Sequence, residues 1–147
     1  VGSEMCIRDS ISPIAAIIHR MKDDPAPSLD RLERAYLDSF HHLRTNRLPF
    51  LALSVFNLKC EYAIDLAPLI EEKNREIEES LAYLSRLFKD ARESKLIYTD
   101  TAPYVIAISF YCLIEGLSLY SLKQPESVSD TYIAQAIALF LQSLKVN

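Results

Sequence analysis

The sequence predicts an all-α domain, and three observations support that prediction. Apolar residues recur at spacings of three and four along most of the chain, which is the period of a helix with one buried face. All seven prolines lie at the edges of those periodic segments, where a first helical turn tolerates proline. The 147 residues include two glycines and no Asn-Gly or Asp-Gly pair, so tight β-hairpins are not expected.

The first ten residues, VGSEMCIRDS, carry no fold signal. From Val1 to Asp9 they resemble the translation of a transposase adapter that is used to prepare sequencing libraries. A secretory signal peptide would need a basic start followed by an apolar stretch, and this segment has neither. We interpret residues 1–10 as a non-native adapter-like segment and residues 11–147 as one domain, and we expect native sequence upstream of Ile11 to be missing.

Prolines and cap residues divide residues 11–147 into six predicted helices. Serine is a favoured N-cap because its hydroxyl accepts a hydrogen bond from a free backbone N–H of the first turn. The predicted boundaries are about Ser12–Lys22, a Ser28 cap and a helix through Leu43, Leu48–Leu66, Leu69–Ser94, the run Pro103–Leu122 started by Asp100 or Thr101, and a Ser127 cap, reinforced by Asp130, before a helix through Leu144.

Three of these helices have one apolar face, and the third is apolar all round in its first half, PFLALSVF, which predicts a central position. The residues predicted to be buried are Ile14, Ile18 and Met21 in the first helix, Leu29, Leu32, Tyr36, Phe40 and Leu43 in the second, and Ile70, Ile77, Leu81, Leu84, Phe88 and Ala91 in the fourth.

The predicted fifth helix is the most apolar part of the chain. Its twenty residues from Pro103 to Leu122 contain one carboxylate, Glu115, and no Lys or Arg. That length could cross a bilayer, but a membrane span would place Glu115 in lipid at high cost and would lack flanking basic residues to set its orientation. We therefore expect a buried helix of a soluble, cytoplasmic protein that does not contact a membrane.

The predicted sixth helix is also apolar around most of its circumference. A chain of this size can bury two such helices only if something besides its own core covers them. The economical solution is a two-fold homodimer in which they pack with their copies as a four-helix bundle. The residues expected at this dimer interface are Leu117, Tyr120, Tyr132, Ala136 and Phe140.

Charge and side-chain spacing exclude several function classes. The net charge of −4 makes the chain a poor electrostatic partner for nucleic acid. His41 and His42 diverge by about 100° on a helix, so they cannot chelate one metal ion. Cys60 and Cys112 lie in apolar helical segments without a histidine in local register, and no glycine-rich phosphate loop occurs. We expect no metal, no cofactor and no catalytic residue.

The order of segments resembles a known family. The segments are PFLALSVFNLKCEYAIDL with Lys59-Cys60-Glu61, the charged helix EEKNREIEESLAYLSRLFKDARESK, the link LIYTDTAP, AISFYCLIEGLSLYSL with Glu115-Gly116, and ESVSDTYIAQAIALFLQSL. Over Phe50–Leu144 the chain resembles the C-terminal ligand-binding and dimerisation domain of TetR-family transcriptional repressors of the AcrR/TtgR type.

The resemblance implies an Ω-shaped helical domain that dimerises and binds a small apolar, amphipathic or cationic effector. It also implies an N-terminal helix-turn-helix head before Ile11, so that operator DNA is a partner of the full-length protein alone. It places Glu115 at the inner end of the effector pocket and Asn57 among the polar pocket residues. Tyr111 shares the Glu115 face, and Phe56, Cys60 and Ile114 are pocket wall or plain core.

Structural alternatives remain open for each of these residues. Glu115 could instead make a hydrogen bond within the core or across the dimer, because a buried carboxylate must be paired or neutralised. Asn57 could be a core amide, and Tyr111 could simply pack. At the level of function, the alternatives are a dimeric helical adaptor without a ligand and a small helical enzyme that uses Glu115 as acid or base.

Overall fold

The structure is a computed structural model that describes residues 13–25, 28–46, 48, 51 and 67–145. These residues form five α-helices, one short 3-10 turn and no strand, which confirms the predicted all-α class. In chain order the helices are α1 (Pro13–Lys22), α2 (Leu29–Thr45), α3 (Ala67–Glu93), α4 (Pro103–Lys123) and α5 (Asp130–Ser143), with the 3-10 turn Pro125–Ser127 between α4 and α5. The predicted third helix, Leu48–Leu66, lies outside the described residues except at Leu48 and Leu51.

Helix α2 has the boundaries that its sequence predicts. The Ser28 side chain accepts a hydrogen bond from the backbone N–H of Arg31 at 3.3 Å and so caps the first turn. At the other end the backbone N–H of Asn46 donates to the carbonyl of His42 at 3.1 Å. All five side chains predicted for its buried face are buried, namely Leu29, Leu32, Tyr36, Phe40 and Leu43.

The end of α3 is a Schellman motif with lysine in the position that usually holds glycine. Lys95 has a φ of 56°, in the left-handed region. The N–H of Leu96 donates to the carbonyl of Ala91 at 2.8 Å, and the N–H of Lys95 donates to that of Arg92 at 3.0 Å. The chain then turns sharply, so that Ile97 enters the core with 1% of its surface exposed.

The predicted starts of the last two helices are wrong. Ala102, not Asp100 or Thr101, occupies the N-cap of α4, and no side chain caps it; Pro103 follows at the first helical position. Thr101 and Thr99 hydrogen-bond each other instead, at 3.0 Å between their hydroxyl oxygens. Proline needs no cap partner for its own nitrogen, and this removes one of the free donors that a cap would satisfy.

The N-cap of α5 is Ser129, not Ser127. The Ser129 hydroxyl accepts from the N–H of Tyr132 at 3.2 Å. Ser127 ends the 3-10 turn, where its N–H donates to the carbonyl of Gln124 at 3.0 Å. Asp130 is therefore the first residue of α5, where its negative charge interacts favourably with the positive end of the helix dipole.

One main core joins the five helices. Helix α3 packs along α4, α2 packs against α5, and α1 contacts both α2 and α3. The core contains Ile17, Ile18 and Met21 of α1, Leu29, Leu32, Tyr36 and Phe40 of α2, Tyr83, Leu84, Leu87, Phe88 and Ala91 of α3, Ile106, Ala107, Phe110 and Ile114 of α4, Ile133, Ile137 and Leu141 of α5, and Ile97, Val128 and Leu144 of the connections and C-terminus.

The buried face predicted for α3 is correct only in its second half. Leu81, Leu84, Phe88 and Ala91 are buried. In the first half of the helix, Ile70 and Ile77 are only partly buried. In α1, Ile18 and Met21 are buried as predicted, together with Ile17, while the side chain of Ile14 lies outside the described part of the chain.

Candidate functional site

Helix α4 presents different chemistry on its two sides. Ile106, Ala107, Phe110 and Ile114 face the core and are buried. Ser109 and Ser118 do not make the helix polar, because their hydroxyls donate to the carbonyls one turn earlier, at 2.8 and 2.9 Å. Near the core, the polar side chains that this helix can offer are therefore Tyr111, Glu115 and, towards its C-terminal end, Ser121.

Tyr111 and Glu115 form a half-buried pair one helical turn apart. Burial raises the pKa of Glu115 above its ordinary value, while the charge of Lys73 on α3 and hydrogen bonding to the Tyr111 hydroxyl oppose that rise. Burial and the neighbouring carboxylate raise the pKa of Tyr111 far above its ordinary value, so the phenol stays protonated and acts as a donor. The structure thus brings together two predicted site residues.

A third buried polar group is the hydroxyl of Tyr36 on α2. Tyr36 is 1% exposed, and its hydroxyl has no hydrogen-bond partner in the described structure. Burial first, and then the negative charges of Glu115 and Tyr111, raise the pKa of Tyr36 far above its ordinary value, so its phenol also stays neutral. An unsatisfied buried hydroxyl costs roughly 1–3 kcal/mol.

The sequence identifies Tyr36 as a core residue but not as a member of the site. Its position in the α2 stripe explains why, because the ring has the spacing of a core side chain. The overlooked signal is the hydroxyl: Tyr36 is the one side chain of that five-residue stripe that carries a polar atom. Ser121 has the other buried hydroxyl without a partner in the described chain. It lies in the last turn of α4, away from this site.

Aromatic rings from three other helices meet at Phe110 of α4. Phe110 is fully buried, and the edge of the Tyr36 ring meets it with centroids 5.2 Å apart. Phe88 of α3 and Phe140 of α5 lie 6.0 and 5.5 Å from the same ring. These four side chains connect α2, α3, α4 and α5 at Phe110.

Little space adjoins Tyr36 within the described structure. A cavity of about 10 Å³ is lined by Ile17, Tyr36, Ser39, Phe40, Leu43, Ile114 and Ser118. That volume holds about one water molecule. Ile114 is therefore packed in the core and also lines this cavity, whereas Asn57, Phe56 and Cys60, the other predicted pocket residues, lie outside the described residues.

The opposite side of α4 is an exposed apolar stripe, which consists of Val105, Ile108, Cys112, Gly116, Leu119 and Tyr120. No charged residue interrupts it. Helix α5 has a similar exposed side, where Tyr132 is 62% and Leu139 is 73% exposed. A single subunit leaves both sides in water.

The five residues predicted for the dimer interface fall into two groups. Tyr120 and Tyr132 are exposed on the outer sides of α4 and α5, and Ala136 is half-buried. Leu117 and Phe140 are partly buried and pack against the main core. The two tyrosines are fully available to a partner, whereas Ala136, Leu117 and Phe140 are available only in part.

A second polar cluster connects α2 to the N-terminus of α5. The two carboxylate oxygens of Asp130 are 2.8 Å from Nδ1 of His41 and 3.1 Å from the guanidinium of Arg44. They lie at the rim of an open groove of about 360 Å³ whose floor includes Phe40 and Ile133. Because Asp130 is paired on both oxygens, the cluster holds two helices together and leaves little of its charge for a ligand.

Hydropathy alone does not settle the environment of α4. In the described ranges it is the one helix long and apolar enough to cross a bilayer. Its most apolar 18-residue segment has a mean hydropathy of 1.7 and is 39% buried. Core helices of soluble proteins pass the same test. Among the same residues, no group of three or more His, Cys, Asp or Glu side chains could hold a metal ion.

Comparison with known proteins gives no further assignment. No family model, curated protein or solved structure matches this chain.

Proposed function

We propose that this chain is the effector-binding and dimerisation domain of a TetR-type transcriptional repressor. The observation that carries the proposal is the two-sided character of α4. Its inner side carries the half-buried pair Tyr111 and Glu115, and its outer side is an exposed, uncharged stripe that water would not stabilise. The segment order over Phe50–Leu144, which resembles that family, supports it independently.

In this proposal the outer sides of α4 and α5 pack against their copies in a cytoplasmic homodimer. Burying about 800 Å² per partner would give an interface of standard size. The polar group on the inner side binds a small apolar or amphipathic effector, and the chain has no enzymatic activity and no cofactor. The native protein would bind operator DNA through a helix-turn-helix head on its N-terminal side.

The effector would act by changing the population of two arrangements of the dimer. It can release DNA only if it binds the released arrangement more tightly than the DNA-bound one. The ring cluster around Phe110 supports such coupling, because it links the polar group of α4 to α2, α3 and α5.

A thermal-shift survey of amphipathic compounds tests the sensor function. A ligand that binds the native state raises the unfolding midpoint as its concentration increases. The free energy of unfolding rises with the logarithm of the ligand concentration and gains about 2.7 kcal/mol at one hundred times Kd. Concentration-dependent stabilisation by some compound, lost in Glu115→Gln, supports the sensor. A dimer that no compound stabilises supports the alternative, a helical adaptor without a ligand.

A further inference from the structure

One side of α5 carries a line of residues that leads from solvent to the core. Tyr132, Ala136 and Phe140 are four residues apart, so they follow one another along the same side of the helix. Tyr132 is 62% exposed, Ala136 is half-buried, and Phe140 is partly buried against the main core. Phe140 is therefore the residue at which this side of α5 meets the core.

Phe140 contacts the ring at the centre of the aromatic cluster. Its centroid lies 5.5 Å from that of Phe110, and the two rings are tilted by 46°. Phe110 has 0% of its surface exposed, and it also packs against Tyr36 and Phe88. Phe140 thus touches a ring that neither solvent nor a partner chain can reach, while part of its own surface remains exposed.

Helix α4 has a comparable line of residues. Leu113 and Leu117 are half-buried, and Tyr120, three residues further on, is 53% exposed. Helices α4 and α5 contact each other, and neither line includes a charged residue. A second copy of the chain presents the same two uncharged lines, so a two-fold arrangement can cover all of them at once.

We propose that Phe140 couples dimerisation to the packing of the aromatic cluster, so that a change at the buried Phe110 alters the affinity of the two copies for each other. This inference rests on the proposed function, in which the outer sides of α4 and α5 pack against a second copy. It adds a means by which the core of each subunit regulates that contact. Phe110 acts as a positioning residue, through Phe140.

The physical basis of the coupling is the close packing of the core. When a buried side chain becomes smaller, its neighbours move partly into the space that it leaves. Among the three rings that contact Phe110, Tyr36 and Phe88 are 1% and 0% exposed, and Phe140 alone reaches the surface. A loss of volume at Phe110 therefore draws Phe140 inward, away from the second copy.

Phe110→Leu tests the coupling at a residue that cannot touch the second copy. Sedimentation equilibrium of the full chain over a concentration series measures the dimer Kd. We expect Phe110→Leu to raise this Kd about tenfold, because both subunits lose part of an aromatic contact that positions Phe140. Ile18→Val removes volume from α1, a helix without a ring in the cluster, and should change the dimer Kd by less than about twofold.

A double substitution shows whether the effect passes through Phe140. Phe140→Leu should itself raise the dimer Kd, because it removes the ring that reaches the surface. In that background Phe110→Leu should raise the Kd further by no more than about twofold, since the ring that transmits the change is gone. Independent effects would instead multiply.

Circular dichroism and cooperative unfolding show whether each variant is folded at the concentrations used. If Phe110→Leu does not fold, Phe110→Met provides the same test, because the flexible methionine side chain fills irregular space in a core. Phe110→Met should change the dimer Kd in the same direction, and this change should again be reduced in the Phe140→Leu background.

Three results would overturn the inference and leave the proposed dimer standing. The first is a wild-type dimer whose Kd is unchanged by Phe110→Leu. The second is an equal effect of Phe110→Leu with and without Phe140. The third is an effect of Ile18→Val as large as that of Phe110→Leu, which would mean that any loss of core volume weakens the dimer. A wild-type chain that is monomeric throughout the series contradicts the proposed function itself.

Discussion

The ring and the hydroxyl of Tyr36 lie in different environments. Its ring packs edge-on against Phe110, with centroids 5.2 Å apart, and belongs to the core. Its hydroxyl lies buried without a partner in the described structure, which gives the core nothing in return for its lost hydration. The ring therefore stabilises this region, whereas the hydroxyl does not.

Removing that hydroxyl should therefore not destabilise the free protein. Tyr36→Phe keeps the ring and eliminates an unsatisfied buried polar atom, so we expect an unchanged or slightly higher unfolding free energy, by up to about 1 kcal/mol. Denaturant unfolding measures it. A loss of more than about 1 kcal/mol would mean that the hydroxyl has a partner in the folded state.

Glu115 should make stability depend on pH in a defined direction. Its pKa is higher in the folded protein than its ordinary value, because of burial. The folded state therefore binds this proton more tightly, and the contribution of Glu115 to stability is present below the ordinary pKa and lost as the pH rises through the folded value.

The difference between wild type and Glu115→Gln isolates this contribution from the other carboxylates. As the pH rises from acidic to neutral, wild type should lose stability relative to the variant. Denaturant unfolding at several pH values measures that difference. A difference that is constant, or that changes in the opposite direction, would show that Glu115 is not desolvated in the fold.

At the scale of elements, helix ends were less predictable than helix faces. The five buried side chains of α2 follow from spacing alone, because a helix with one buried face has apolar residues at intervals of three and four. The cap of α5 does not, because Ser127 and Ser129 are both good cap residues and both precede an apolar segment. Only the geometry of the preceding 3-10 turn selects between them.

The two serines give a matched pair of variants. Ser129→Ala removes the hydroxyl that accepts from the N–H of Tyr132 and should cost about 1 kcal/mol, or about 3 °C in Tm. Ser127→Ala should change Tm by much less, because Ser127 ends the 3-10 turn and does not cap α5. Equal effects of the two substitutions would contradict the boundary at Ser129.

The Schellman motif at the end of α3 contains removable strain. Lys95 adopts a φ of 56°, which a side chain with a Cβ occupies at a cost of roughly 1–2 kcal/mol. Lys95→Gly should recover part of that cost and raise Tm by a few degrees. A smaller opposing effect comes from the greater conformational entropy that glycine gives the unfolded chain. Lys89→Gly, in the helix interior, should lower it. A fall in Tm for Lys95→Gly would show that the αL conformation is not adopted.

At the scale of the whole molecule, the sequence predicts which helices have more apolar surface than one core covers, but not which of their sides stays exposed. The uncharged composition of Pro103–Leu122 already predicts more apolar surface than one core can cover. Which side of α4 stays exposed depends on its packing against α3, and that is visible only in the fold. Tyr36 of α2 is more than seventy positions from Tyr111 and Glu115 of α4. Local sequence patterns therefore could not predict that these side chains influence one another.

The exposed apolar stripe of α4 leads to the central claim, which is that this chain exists as a homodimer. Gly116 lies on this stripe, and a Cβ added there meets no other atom within 4 Å in the subunit. Gly116→Arg should therefore be tolerated by a single subunit but should place a charge in the middle of the interface. Gln124→Arg adds the same charge at an exposed position beyond α4 and serves as the control.

Sedimentation velocity at micromolar concentration measures the state of all three proteins directly. The account predicts that wild type and Gln124→Arg sediment as folded dimers and that Gly116→Arg sediments as a folded monomer. A wild-type chain that sediments as a well-folded monomer, with its circular dichroism and cooperative unfolding intact, would contradict the dimer and with it the proposed sensor function.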